Sequence, residues 1–237
     1  MIIKFDNTFI KIMKKWINDE FYFNNDLSNL HLVLNNLKEC DKMFFSKIQQ
    51  LGINDRNSIF INKFHSFIDN DTNNEFLNNY YEFIKIYIKP LFSNEEKLVI
   101  QKTPNLRLSF PNLTAIGLKI DDPKNIVGLH KDSDFGHHCE EINFIIPITK
   151  MYDTNSIYYE PTINSNLSYD KYLNLKLNTD EILMEIFNQK LHYNKINDTD
   201  KTRISFDFRV IPYSKYMENL QYFTNTKFDL GKYYIVV

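Results

Sequence analysis

His130, Asp132 and His192 are residue types that bind a divalent metal, and they occur as His-x-Asp followed by a distant His. In extended backbone successive side chains point to opposite faces, so positions 130 and 132 point the same way and can share one ion. Two imidazoles and one carboxylate on one face of an octahedron leave three positions open, which is the ligand set of non-heme iron(II) sites. A His-x-Asp pair alone also arises as two surface polar residues near a strand end. The order of the residues and the sequence downstream strengthen the metal reading. His192 lies in the strand-like run Lys-Leu-His-Tyr-Asn, and a polar turn over 194–202 follows. Arg203 then opens the most strongly alternating segment of the chain, Arg-Ile-Ser-Phe-Asp-Phe-Arg-Val. One face holds Arg203, Ser205, Asp207 and Arg209; the other holds Ile204, Phe206, Phe208 and Val210. Arginine occurs only at Arg56, Arg107, Arg203 and Arg209 in a lysine-rich chain. Such sparing use points to places that need the planar, bidentate guanidinium; the alternative for Arg203 is a solvated strand end.

The elements that must position these residues fall into two parts. The first reads helical. Leu30, Leu32, Leu34, Leu37, Met43, Phe44, Ile48 and Leu51 recur at roughly helical spacing over 27–51, with Asp26 or Ser28 to cap the start and Gly52 to end it. A second helix is expected over 59–68. A third is expected over 74–88, closed by Pro90, with Phe76, Tyr80, Phe83, Ile84 and Tyr87 as an apolar stripe. His31 and His65 lie on these helices and are read as structural or surface residues. The second part reads as strands over 97–102, 105–110, 126–130, 141–149, 156–160, 172–177, 190–194 and 203–211. Many short strands with polar turns suggest a sandwich or jelly roll. Helices first and strands later suggest segregated layers. The expectation is a single α+β domain spanning 1–237. A helical part, 1–92, would pack outside the major sheet of a double-stranded β-helix, a jelly-roll or cupin-like barrel, over 93–237. The apolar faces of 203–210 and of Ile142, Phe144 and Ile146 would back onto the helices. The Asn-rich segment 161–180 would serve as a lid.

A chain of 237 residues suffices for one domain with a sizeable core. The formal net charge is −2 and no basic block stands out, so nucleic-acid binding has no electrostatic support. Cys40 and Cys139 are far apart and form no disulfide framework, which points to a reducing compartment. Charges interrupt the N-terminal apolar run, and the apolar stretches are too short to span a bilayer. The expectation is a cytoplasmic protein, not bound to membrane, with a small-molecule substrate.

At these residues the chain resembles the 2-oxoglutarate/Fe(II)-dependent dioxygenases. Over 129–212 it is similar to the StrG-type proteins of streptomycin biosynthesis clusters. The phrases that carry this are Leu-His-Lys-Asp-Ser-Asp-Phe-Gly-His, Glu-Ile-Asn-Phe-Ile-Ile-Pro-Ile-Thr, Asp-Thr-Asn-Ser-Ile and Thr-Arg-Ile-Ser-Phe-Asp-Phe-Arg-Val-Ile-Pro. The resemblance implies His130, Asp132 and His192 as iron ligands, with 2-oxoglutarate and O2 as co-substrates. It implies Arg203 and Ser205 as the clamp on the distal 2-oxoglutarate carboxylate, and puts Asn143 where an inward polar residue meets co-substrate or substrate. It also implies hydroxylation rather than halogenation, because halogenating relatives lack the carboxylate ligand. The reaction would be oxidation of a sugar, amino-sugar or amino acid as 2-oxoglutarate is converted to succinate and carbon dioxide. The chain departs from the pattern at His137-His138-Cys139, where relatives more often carry one His followed by Pro or Gly.

Candidate substrate contacts are Arg107, Glu141 and Arg209. Glu141 alternates with Asn143 and would line the cavity, whereas Glu140 is read as solvated. Arg107 either enters the barrel or pairs with an acid such as Asp207. His137, His138 and Cys139 contain metal-capable types but lack the two well-placed pairs of a zinc site. Two other readings remain open. A cupin-like sugar isomerase or epimerase without redox chemistry has no use for Arg203 and Ser205 as a dicarboxylate clamp. A non-catalytic binding barrel predicts an incomplete ligand set.

Overall fold

The computed structural model describes residues 1–6, 8–21, 23, 25–36, 59–112, 127–220 and 225–237. The chain starts with strand β1 (Ile2–Lys4) and helix α1 (Thr8–Phe21). Phe9, Ile10, Met13, Trp16 and Ile17 are buried, and their spacing places them on one side of α1. A 3₁₀ helix (Leu27–Asn36) precedes α2 (Ile59–Asn70) and α3 (Glu75–Phe83). The chain continues from α3 through a π-helical turn (Ile84–Ile88) and a 3₁₀ turn (Lys89–Leu91). Pro90 lies in that last turn, where its ring and missing N–H end the helical run.

The rest is mostly strand: β2 (Leu98–Gln101), β3 (Asn105–Ser109), β4 (Val127–His130), β5 (Ile142–Pro147), β6 (Ile157–Tyr159), β7 (Leu173–Asn174), β8 (Glu181–Glu185), β9 (His192–Asn194) and β10 (Arg203–Pro212). Helix α4 (Tyr213–Asn219) and β11 (Tyr234–Val236) follow. Among the described residues all ladders are antiparallel. The larger sheet has the order β1-β8-β5-β10-β2-β11, with β3 also paired to β10; the smaller has the order β4-β9-β6-β7. β10 organises the larger sheet. One edge pairs with β5; the other pairs with β3 along Arg203–Asp207 and with β2 along Val210–Pro212. Among the described residues no ladder joins the two sheets into a closed barrel.

Alternation along β10 separates core from site. Ile204, Phe206, Phe208 and Val210 are fully buried in the main core with α1, α2 and α3. The Phe206 ring lies 5.7 Å from Phe9, 5.5 Å from Phe64 and 5.9 Å from Phe76. Phe208 meets Tyr80 at 5.4 Å and stacks on Phe144 at 5.3 Å. The helices therefore cover one face of the larger sheet, as the sequence pattern predicts. The opposite face meets the smaller sheet through a second apolar cluster. It joins Ile145 and Leu183 of the larger sheet to Ile157 and Tyr159 of the smaller, together with Phe187.

Several boundaries differ from the sequence reading. The expected helix over 27–51 is a 3₁₀ helix at Leu27–Asn36, and its remainder lies outside the described residues, as do Cys40 and Arg56. The strand expected over 172–177 is short, Leu173–Asn174, with Leu177 making only an isolated bridge to Met151. Helices α1 and α4 and strands β1, β8 and β11 were not expected. Among the described residues no helix is long and apolar enough to cross a membrane.

Candidate metal centre

β4 ends at His130, and Lys131 stays extended with φ −103° and ψ 148°. Side chains 130 and 132 therefore leave the backbone on the same side. Asp132 itself opens a 3₁₀ turn, Asp132–Phe135, so the pair straddles a strand end instead of sharing one strand. The turn closes at Gly136, whose φ is +78°; a Cβ there would sit 2.6 Å from the Asn225 side-chain amide. The positive φ is the feature that favours glycine here, since the Asn225 side chain could turn aside.

β9 lies antiparallel to β4 with His192 opposite His130. Cross-strand pairing brings the two imidazoles to a centroid distance of 4.2 Å. His130 Nε2 lies 3.5 Å and His192 Nε2 3.6 Å from the same Asp132 oxygen, Oδ1. One donor atom from each of the three residues lies within 4.8 Å of the others, and among the described residues this is the one such cluster.

The surroundings set the donor chemistry. His192 Nδ1 is 3.1 Å from the Lys190 carbonyl, and His130 Nδ1 contacts the Gly128 carbonyl. Each Nδ1–H donates to a backbone oxygen, which leaves each Nε2 lone pair aimed at the Asp132 side. The second Asp132 oxygen, Oδ2, accepts from Asn143 Nδ2 and from Arg209 Nη2, both at 2.8 Å. Asn143 Oδ1 in turn accepts from the Phe187 backbone N–H at 3.1 Å, and the Asp132 N–H donates to the Phe187 carbonyl at 3.0 Å. Asp132 is thus held with one oxygen occupied and one turned to the histidines.

Burial would raise the Asp132 pKa, but the Arg209 charge and the histidine contacts outweigh it and hold the carboxyl well below its ordinary range. Burial pushes His192 down to about 4, against the opposing pull of Asp132. At neutral pH Asp132 is an anion and His192 a neutral base, the forms that bind metal. The donor set fits an iron(II) ion held on one face with its other face toward the cavity.

That cavity has a volume of about 90 Å³. Besides the three candidate ligands and Asn143, its wall includes Arg203 and Ser205, each 2 % exposed. Ile145, Ile157 and Phe187 supply apolar wall. Arg107 also lines it, and the acid-pairing alternative is the one observed: Arg107 Nε donates to Asp207 Oδ1 at 2.6 Å. Asn105 Nδ2 donates to Asp207 Oδ2 at 2.9 Å. Burial alone would raise the Asp207 pKa, but Arg107 and Arg209 lower it.

Of Arg209 and Glu141, only the first lines the cavity. Arg209 reaches the cavity wall, but its guanidinium is in contact with Asp132, Asp207 and Glu141 at 2.8, 3.1 and 3.2 Å. Glu141 is fully buried behind Arg209 and is not part of the wall. His137 faces Glu141, His138 stacks on Tyr216 and Cys139 is exposed, so this segment adds no ligand to the cluster. A larger groove of about 720 Å³ lies against α1 and α2 and shares no residue with the metal cluster. Sequence reasoning missed Phe187, which ties Asp132 to Asn143, and the Arg209–Asp132 contact. Those two residues are 77 positions apart, and no local pattern connects them.

No family model matches the chain. The streptomycin biosynthesis protein StrG of Streptomyces griseus is 29% identical over 146 residues, covering 60% of this chain. The match spans 62% of that relative's length. Among solved structures, a non-heme monooxygenase, ThoJ in complex with nickel, aligns with a TM-score of 0.41 at 14% identity, over 55% of this chain and 53% of its own. EvdO2 from Micromonospora carbonacea var. aurantiaca aligns with a TM-score of 0.40 at 11% identity, over 57% and 64%. The non-heme α-ketoglutarate-dependent carbocyclase SnoK aligns with a TM-score of 0.37 at 8% identity, over 48% and 51%. At such scores these structural likenesses carry no argument about function.

Proposed function

We propose that the chain is an Fe(II)- and 2-oxoglutarate-dependent oxygenase with a double-stranded β-helix core, and that it hydroxylates a small polar metabolite. The observation that carries this reading is the convergence of His130, Asp132 and His192 beside a cavity that Arg203 and Ser205 also line. Iron with 2-oxoglutarate and dioxygen supplies an oxidant able to take hydrogen from an unactivated carbon, with succinate and carbon dioxide as co-products. The protein's share is binding, aiming and exclusion of water.

His130 and His192 hold the ion through Nε2, each oriented by a backbone carbonyl at Nδ1. Asp132 binds through Oδ1 while Asn143 and Arg209 hold Oδ2. This gives Asn143 an orienting role on the ligand in addition to its place in the cavity wall. Arg203 and Ser205 take the distal carboxylate of the co-substrate, where the guanidinium fork matches a carboxylate in two parallel bonds. Ile145, Ile157 and Phe187 supply the apolar part of the wall, with the Phe187 ring 4.7 Å from that of His192. A sugar, amino-sugar or amino acid offers polar groups to a cavity lined by Arg107, Asn194 and Asp207 as well as the candidate ligands. The similarity to StrG is consistent with a sugar-derived substrate.

The test is succinate formation from 2-oxoglutarate by the Fe(II)-loaded protein against a panel of sugars, amino-sugars and amino acids. Stimulation by one class supports the reading and names the substrate. A metal-loaded protein that does not bind 2-oxoglutarate refutes it.

A further inference from the structure

We propose that Glu141 is a positioning residue that controls metal affinity through Arg209; the inference rests on the metal reading of His130, Asp132 and His192. Glu141 immediately precedes β5 and is 0 % exposed. Its Oε1 is hydrogen-bonded, whereas Oε2 is in ion-pair contact without a hydrogen bond. Oε1 accepts from the His138 backbone N–H at 3.1 Å, from His137 Nδ1 at 3.1 Å and from the Tyr234 hydroxyl. Oε2 lies 3.2 Å from Arg209 Nε and 3.0 Å from His137 Nδ1. On its other side Arg209 donates Nη2 to Asp132 Oδ2 at 2.8 Å. Its Nη1 donates to Asp207 Oδ2 at 3.1 Å, and to Gln101 Oε1 and the Tyr233 hydroxyl at 3.3 Å. A continuous path thus runs from β11, through Tyr234, Glu141 and Arg209, to a candidate metal ligand.

Two physical effects act along this path in the same direction. The first is geometric. A guanidinium hydrogen-bonded through Nη1 and Nη2, with the Glu141 carboxylate 3.2 Å from Nε, is restrained in where it presents Nη2, and so in which Asp132 oxygen is left for the metal. The second is electrostatic. Arg209 is a cation next to a carboxylate that must bind a second, divalent cation. Glu141 offsets that charge from behind, so that Asp132 is not drawn wholly toward Arg209. Loss of the Glu141 charge weakens metal binding by both routes. A carboxylate that merely ties β11 to β5 would affect folding stability and leave metal affinity alone.

Co(II), a coloured stand-in for Fe(II), separates these cases. Its binding is measured by calorimetry and by its visible spectrum, with thermal melting of each metal-free variant run beside it. Glu141→Gln is expected to weaken Co(II) binding about 10-fold, the lower end of the range for residues that act through a ligand's partner, and to shift the visible bands. Glu141→Asp keeps the charge and should recover part of that loss. Tyr234→Phe removes one donor to Glu141 and no charge, and should lose affinity in the same direction by a smaller factor. A folded Glu141→Gln protein that binds Co(II) with the parent's affinity and spectrum, whatever its melting temperature, overturns the proposal and leaves the metal reading intact. If Glu141→Gln does not fold, parent-like Co(II) affinity in Tyr234→Phe overturns it instead. A parent protein that does not bind Co(II) overturns the metal reading itself.

Discussion

Arg203→Lys keeps a positive charge at the head of β10 and removes the planar fork. Three arginines border the cavity. Arg107 is committed to Asp207 through Nε, and Arg209 is in contact with Asp132, Asp207 and Glu141. Arg203 shares its strand face with Ser205, and both are 2 % exposed, so an anion that meets them is almost fully desolvated. A carboxylate on Arg203 makes two charge-assisted bonds, and lysine in its place makes one. One such bond is worth about 1.5–3 kcal/mol, so 2-oxoglutarate affinity should fall about 10- to 100-fold. Ser205→Ala removes one neutral bond, about 0.5–1.5 kcal/mol, and should cost about 2- to 10-fold. The assay is calorimetric titration of 2-oxoglutarate into metal-loaded protein without oxygen. Metal affinity, measured in parallel, should match the parent because Arg203 is not a ligand. If Arg203→Lys binds 2-oxoglutarate as the parent does while Arg107→Lys does not, the clamp is Arg107. If Ser205→Ala costs more than Arg203→Lys, the reasoning from bond charge is refuted.

Three further expectations follow from the same geometry. His130→Ala, Asp132→Ala and His192→Ala should each lose tight Fe(II) binding while His138→Ala keeps it; equal iron content in Asp132→Ala and the parent would remove the ligand assignment. The metal-free protein should lose stability as pH falls from 6.5 toward 4, because His192 is lowered to about 4 in the fold and its unfolded form takes a proton first. Stability therefore rises with pH across that window, by at most about 1.4 kcal/mol per unit. Urea melts at stepped pH that stay flat there would contradict the burial of His192. Phe206→Ala, which removes a fully buried ring packed on Phe9, Phe64 and Phe76, should cost about 3–5 kcal/mol in a denaturant titration. A cost below about 1 kcal/mol would mean that the apolar face of β10 does not carry the helical layer.

What was legible in the sequence was periodic or local. The alternation of 203–210 gave both faces of β10, and the helical stripes at 59–68 and 74–88 gave α2 and α3 to within a few residues. The helical spacing of Phe9, Ile10, Met13, Trp16 and Ile17 is less plain because lysines interrupt it along α1. β8 was hidden for a physical reason. It sends Ile182 into the main core and Leu183 into the cluster between the sheets, so it is apolar on both faces and shows no alternation. The His-x-Asp pair was legible because extended backbone relates its two members, even though Asp132 turned out to start a 3₁₀ turn. Contacts made across the sheet left no local mark. Glu141 and Asn143 alternate as expected, yet one is sealed behind Arg209 and the other reaches Asp132; only the packing of β11 and the Phe187 loop decides that.

The charges at this site explain why so buried an ionic cluster is tolerated. Arg107, Arg203 and Arg209 stand against Asp132, Asp207 and Glu141, so the three cations and three carboxylates balance. A buried charge left without a partner costs several kcal/mol. A divalent metal alone adds two positive charges to this balance, and a dicarboxylate alone adds two negative ones. On the proposed reading the two bound together would return the sum to zero, so each ion would relieve the charge the other leaves. The same arithmetic gives Glu141 its weight. It touches neither cavity nor metal ligand, but without its charge Arg209 is shared by two carboxylates instead of three, and the site that receives a cation is one unit too positive.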